Sequence, residues 1–177
     1  MPVQTLQSFY NAINTYGGFL TQHQFQLYIP NLNNGQVVYV QSAELPGKAI
    51  TTGETHLMGF PIKVATGITY TQEWPITVRC DQGMSIRTSF ENWSNQIASL
   101  AANAGGALGT LASNVDAQMY LLGEDNQTIE ATYILKGVYP TNIGATTFEQ
   151  GSNGIATFNV TLTFQYWYNQ ADGDPIA

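Results

Sequence analysis

The chain has 177 residues and a formal net charge of −7, from 5 Lys and Arg against 12 Asp and Glu. Its one cysteine, Cys80, excludes an internal disulfide and a cysteine-built zinc site. Charged residues make up only 10% of the chain, where soluble domains average about 25%, and the acidic balance runs against a protein that grips phosphate.

Isolated monomers keep a charged, mixed surface for solubility. A surface of Thr, Asn, Gln and Ser suits burial in a large polar contact between proteins. It equally suits a neutral extracellular or capsid-like β domain, and composition alone leaves both open. The length fits one domain over residues 1–177 with a core of its own. The longest apolar runs, Val37–Val40 and Met119–Leu122, span four residues, against about 18 for a membrane helix, so no membrane insertion is expected. The opening stretch MPVQTLQSFYNAIN has no basic residue and no apolar run, so it does not read as a secretory leader.

In chain order, Phe25, Leu27 and Ile29 alternate with Gln residues and Tyr28, which predicts a strand. Asn33-Asn34-Gly35 carries the Asn-Gly turn signal and leads into Gln36–Val40, so a hairpin is predicted here. Residues 45–59, LPGKAITTGETHLMG, show no clear alternation and predict a long irregular connection. Such connections tend to be functional.

Ile68–Cys80 reads as one strand, with Ile68, Tyr70, Trp74, Ile76, Val78 and Cys80 on its apolar face. Pro75 inside it implies a bulge or an edge position. The period then changes. Ile86, Phe90, Trp93, Ile97 and Leu100 step by four, three, four and three, which lines one face of a helix. Asp81 or Ser85 is placed to cap its start, and the small-residue stretch Ala101–Gly109 stops it. Val115–Leu122 and Thr128–Val138 alternate across a short polar turn. Ile155–Tyr168 alternates most cleanly, with Trp167 the only large apolar residue on the polar face. The predicted fold is mainly β: an antiparallel barrel or sandwich of two packed sheets with one flanking α-helix.

Chemistry is sparse. His23 and His56 have no ligand partner at metal spacing, and no Gly-x-Ser-x-Gly elbow accompanies them. Cys80 closes an apolar strand face and reads as a structural thiol. Glu124-Asp125-Asn126 and Asp172-x-Asp174 are too short for an EF-hand loop. Gly105-Gly106-x-x-Gly109 lacks the Lys-Ser/Thr of a phosphate loop. No enzyme activity, metal or cofactor is expected. The aromatic run Tyr166-Trp167-Tyr168 fits a core or subunit contact, and also a sugar platform, so a small-ligand or carbohydrate-binding β domain is the competing class.

Lys136–Gly144, KGVYPTNIG, is followed by Phe148-Glu149 and by a strand ending in Tyr166-Trp167. This resembles the tail tube protein of contractile-tailed bacteriophages, where a Gly-aromatic-Pro-Thr-Asn-hydrophobic-Gly motif precedes a last strand ending in Tyr-Trp. Phe25–Ile29 is similar to that family's first strand, Ala43–Gly47 to its Leu-Pro turn, and Phe90-Glu91-Asn92-Trp93 to the Phe-x-x-Trp of its helix. The resemblance spans residues 20–168. The N-terminal segment and the short acidic tail fall outside it.

The resemblance implies a structural virion protein, assembled in the host cytoplasm. Hexameric rings stack into the inner tail tube, a channel for DNA delivery without specific DNA binding. The implied partners are further copies of the chain, the tail sheath, the tape-measure protein and the baseplate. A baseplate tube initiator, a terminator ring and the tube of a phage-like injection system share the fold and stay open. Six copies carry about −42 formal charges, which suits walls that repel phosphate.

Within residues 45–59, Ile50, Leu57 and Met58 mix with Lys48 and Glu54, an anchor with a polar rim. These five are the expected ring-stacking residues. Glu73 and Glu130, with neighbouring Thr and Gln, are the expected channel-wall residues. The Ile86–Leu100 helix face is expected to be structural.

Overall fold

The computed structural model describes residues 5–16, 18–32, 39–97, 115–151 and 153–176. The elements in chain order are helix α1 (Leu6–Tyr16), strands β1 (Phe25–Tyr28), β2 (Val40–Ala43), β3 (Lys48–Leu57), β4 (Phe60–Tyr70) and β5 (Glu73–Arg79), and helix α2 (Ser85–Ile97). Then come β6 (Val115–Leu122), β7 (Ile129–Ile143), β8 (Thr157–Thr163) and β9 (Tyr166–Asn169).

The antiparallel path runs β1-β6-β7-β8-β5-β2, with β9 also on β7. β7 is the shared strand. Its first half pairs β6 and β9; its second half, Tyr139–Ile143, pairs β8. Two sheets thereby face each other across one core. Leu27, Ala117, Met119 and Leu135 come from the first sheet, and Trp74, Ile76, Val78, Phe158, Val160 and Leu162 from the second. Each such side chain taken fully out of water contributes about 1.5–3 kcal/mol.

The bend in β7 explains the motif that the sequence singled out. Gly137 has φ +66, a region costly for other residues. There the strand turns from one sheet to the other. Gly144 donates its N–H to Asn159 O at 2.7 Å, and a Cβ on it would lie 2.9 Å from that same oxygen. Pro140 is buried, and Thr141 Oγ1 donates to Thr161 O at 3.0 Å.

α2 is the predicted flanking helix. Ile86, Phe90 and Trp93 are buried, and Ile97 is half-buried against the core. Leu100 lies outside the described residues. Phe90 stacks on Trp93 at 6.3 Å and meets Phe158 edge-on at 6.1 Å. The Asp81 carboxylate caps the start, accepting from Ser85 N, Ser85 Oγ and Ile86 N. Arg87 reaches from the helix to Gly144 O and Thr146 Oγ1, at 2.8 and 2.9 Å, and holds the loop after β7.

Five expectations change. The N-terminal segment forms a second helix, α1, where only one helix was expected. Leu6, Phe9, Tyr10 and Ile13 share one side of it, Thr5 Oγ1 accepts from Ser8 N, and Gly18, at φ +89, donates to Ile13 O. The predicted pairing of Phe25–Ile29 with Gln36–Val40 is not made by the described residues: β1 pairs β6, and Val40 opens β2, which pairs β5 at the opposite end of the path. The Asn33–Gly35 turn and Gln36–Val38 lie outside the described residues.

Ile68–Cys80 divides at Thr71-Gln72 into the end of β4 and the start of β5. Pro75 sits past the last β2 partner, Ala43↔Ile76, where β5 has a neighbour only on the β8 side. Ile155–Tyr168 divides at Phe164-Gln165 into β8 and β9. The break shifts the phase, so Trp167 turns inward opposite Leu135. Residues 45–59 are the fifth correction: Lys48–Leu57 is a regular strand.

Trp93→Ala should destabilise the fold by about 3–5 kcal/mol, read from urea midpoints. A variant that melts like the parent yet fails to assemble would make Trp93 an interface residue instead. The Asp81 carboxyl is lowered from 3.8 to about 2, first by the Ser85 hydroxyl and then, against opposing burial, by the Ser85 and Ile86 amides. A depressed carboxylate contributes stability that is complete above the unfolded value and lost as pH falls through the folded one. Asp81→Ala should therefore lower stability at pH 7 and flatten its fall between about pH 4 and pH 2. An acid limb unchanged in that variant would place the sensitivity elsewhere, the first alternative being Asp125, which is also lowered to about 2.

Candidate assembly surfaces

β3 and β4 form a two-stranded sheet of their own. They pair without a gap from Lys48↔Tyr70 to Leu57↔Phe60, with one bulge between Thr51 and Thr52. Ten residues at about 3.3 Å each make an arm about 33 Å long. The tip is a two-residue turn, Met58-Gly59, at φ +49 and +82.

Register assigns the arm's faces, since directly paired residues point the same way. On one face, Lys48 and Ile50 stand with Tyr70 and Ile68 near the root, and Glu54 and His56 with Lys63 and Pro61 farther out. On the other, Thr51 stands with Gly67 near the root, and Thr55 and Leu57 with Ile62 and Phe60 farther out, beside Val64. The bulge thus moves the apolar strip from one face to the other. Ile50, Ile68, Leu57 and Phe60 are exposed by 63, 55, 61 and 74%, and Met58 by 94%. The arm has two uncovered apolar patches, on opposite faces and at different heights.

The expected stacking residues fall accordingly. Ile50 belongs to the root patch, Leu57 to the outer patch and Met58 to the tip. Glu54 lies on the polar outer part of the Ile50 face, 3.8 Å from His56. Lys48 stands at the root, its Nζ 5.9 Å from the centre of the Trp167 ring. Sequence reasoning missed the β4 half of the surface: Phe60, Ile62, Val64 and Ile68. The alternation Phe60-Pro61-Ile62-Lys63-Val64 was the available signal.

The expected wall residues are not brought together. Glu73 opens β5, and the outer face of its sheet carries Thr77, Thr157, Asn159, Thr161 and Thr163, with Arg79 its other charge on these two strands. Glu130 is on β7 in the other sheet, at the register shift between Ile129 and Ala131 where it has no direct partner in β6; Thr132 and Ile134 follow on that sheet's outer face. That face also presents Tyr28, Tyr120 and Tyr168. The two outer faces point away from the shared core in different directions, and Glu73 and Glu130 stand on different sheets.

An ion cluster holds the C-terminal segment on the Tyr-rich side. Lys136 Nζ lies 2.7 Å from Asp116 Oδ2 and 3.9 Å from Asp174 Oδ2, and Tyr166 OH donates to Asp174 at 3.2 Å. The hydrogen bond to Asp116 raises the Lys136 pKa. Tyr166 and Tyr168 stack outward while Trp167 points inward, so the three do not form a common platform. β1 and β2 each keep one edge without a strand partner among the described residues.

A two-sheet β subunit with a projecting arm and neutral outer faces is the architecture of an assembly component. The family model described as phage tail tube protein matches residues 20–170, and the chain belongs to that family. It is a family of structural tail tube proteins.

The tail tube protein gp19 of Enterobacteria phage T4 is 29% identical over 154 residues, covering 85% of this chain and 92% of its own. Two solved structures share the fold. One is the tube-terminating cap of the anti-feeding prophage, with TM-score 0.64 and 17% identity, covering 96% of this chain and 94% of that one. The other comes from the PVC sheath-tube complex of an extracellular contractile injection system in its extended state, with TM-score 0.62 and 15% identity, covering 86% and 91%.

Proposed function

We propose that six copies of the chain close into a ring and that rings stack into the inner tube of a contractile tail, a channel through which DNA passes without specific binding. The arm carries the reading: a projecting sheet with apolar residues on both faces that its own chain leaves uncovered. In a stack one arm meets two neighbours. The root patch of Ile50 and Ile68 packs against one copy, and the outer patch of Leu57, Phe60 and Ile62 against another. Lys48 and Glu54 supply polar rims. A modest loss at each arm multiplies, so about 1 kcal/mol per copy becomes about 6 per junction if the contacts are independent.

Ring closure gives the free edges of β1 and β2 partners, which removes an aggregation hazard. The Thr-rich outer face, on which the charges of Glu73 and Arg79 balance, lines the channel, because a wall without net positive charge does not hold phosphate by counterion release. Glu130, on the Tyr-rich side, faces away from that wall. The whole chain forms one tail-tube domain. Sheath, tape-measure and baseplate proteins are its partners in the virion, and assembly takes place in the host cytoplasm.

Joining Lys48 directly to Tyr70 through a Gly-Ser link tests the arm. The variant should give folded subunits, and single rings, but no long tubes by electron microscopy. Tubes of normal length would remove the arm from the mechanism. A second test addresses the wall. In a Cys80→Ser background, Thr161→Cys in assembled tubes should react with a small maleimide and resist one carrying a long polymer, whereas free subunits react with both. Equal reaction of the tubes with the polymer reagent would place the Thr-rich face outside.

A further inference from the structure

The arm is fastened to the body at one place. β3 and β4 form no ladder with any other described strand. At the root, Thr71 N donates to Gly47 O at 3.4 Å. Just outside the root, Thr163 Oγ1 donates to Gln72 O at 3.0 Å and Trp74 Nε1 to Glu44 O at 2.5 Å. The side-chain contacts of the arm's own last rung converge on one ring. Tyr70 meets the Trp167 ring edge-on at 6.1 Å, and Lys48 Nζ lies over that ring at 5.9 Å. From below, Tyr133 meets the same ring edge-on at 5.7 Å. Tyr70 and Lys48 are a directly paired couple, the last rung of the arm. Both strands of the arm therefore rest on one indole.

Trp167 is itself held firmly. β9 places it opposite Leu135, a buried residue of β7. Its Nε1 is buried and finds no hydrogen-bond partner among the described residues. An unpartnered buried donor is costly, and a phenylalanine would pack here without that cost. The indole's distinct contribution is a larger face with a stronger pull on a cation than phenylalanine or tyrosine offers.

We infer that Trp167 is the positioning residue of the arm: it fixes the angle at which β3 and β4 leave the body, and so sets where the two apolar patches meet neighbouring copies. This rests on the stacking role proposed for the arm. The aromatic end of the last strand thereby acts through the hairpin, by clamping its final rung. A short clamp can govern a long arm, because an angular error at the root grows along about 33 Å of strand.

The test uses the full chain in a Cys80→Ser background, with spin labels at Glu54→Cys on the arm and Gln82→Cys on the body. Distances are read in dilute, unassembled subunits. The parent should give one narrow distribution. Trp167→Ala should broaden it at least twofold and raise the concentration needed for tube growth at least tenfold, with an unchanged far-ultraviolet circular dichroism spectrum. Trp167→Phe, which keeps the ring between Tyr70 and Tyr133, should restore most of both. Tyr70→Ala removes the same contact from the arm's side with Trp167 in place, and carries the test if Trp167→Ala does not fold.

A narrow, parental distribution in folded Trp167→Ala or Tyr70→Ala overturns the inference, whatever happens to the tubes. A broadened distribution with normal tubes overturns the stacking role of the arm instead, and with it the functional consequence drawn here. Broadening together with lost tubes, both reversed by phenylalanine, supports the clamp. A purely structural tryptophan would lower stability without changing the distance distribution.

Discussion

The structure depends on one strand serving two sheets. β7 runs 15 residues and changes sheets at Gly137, where a positive φ bends it. Gln165 N donates to Lys136 O at 2.8 Å, so the break between β8 and β9 is pinned beside the bend. Everything downstream of this corner follows from it. β8 continues the second sheet and buries Phe158, Val160 and Leu162, while β9 returns to the first and points Trp167 inward. A side chain at Gly137 would strain the bend, and a straighter β7 would separate the sheets and open the core.

Two kinds of surface result. The body has a well-covered core: Trp74, Phe90 and Val160 are fully shielded from solvent. The arm has almost none, and nearly every residue from Lys48 to Thr69 is exposed. Apolar residues placed on such an arm gain nothing for the isolated fold. They gain on association, when neighbours remove them from water. The same logic accounts for a charged fraction of 10%. In the proposed ring the outer faces become channel wall and subunit contact, and such faces have little need of charge to stay dispersed.

Legibility followed burial. β5, β6, α2 and β8 each bury one face, so their periods stand out in the sequence, and Ile86, Phe90 and Trp93 are buried on the face that the helical spacing predicts. The arm buries neither face. Its β3 half carries Thr and Gly where a half-buried strand carries Val or Ile, so no period shows there; the β4 half alternates, but its unpaired Thr66 carries the apolar strip from one face to the other, which the sequence does not reveal. Trp167 looked out of phase because the break at Phe164-Gln165 resets the count. The long-range pairings are illegible for a different reason: alternation marks β1 and β6 as strands, but nothing local says that Phe25 will stand opposite Leu121 or Val40 opposite Val78. Glu73 and Glu130 both read as carboxylates on polar strand faces with neighbouring Thr and Gln, and only the pairing shows that they stand on different sheets.

The central claim is that the purified chain builds a ring whose Thr-rich sheet faces the hole and whose arms bridge to the next ring. A cryo-electron microscopy reconstruction of the purified protein at assembling concentration tests it most directly. The account predicts a six-fold ring, stacked into tubes, with Thr161 and Glu73 on the channel side and each arm against two neighbours. A chain that stays a dilution-stable monomer of 19.3 kDa under all salts, with no rings in the micrographs, would contradict it.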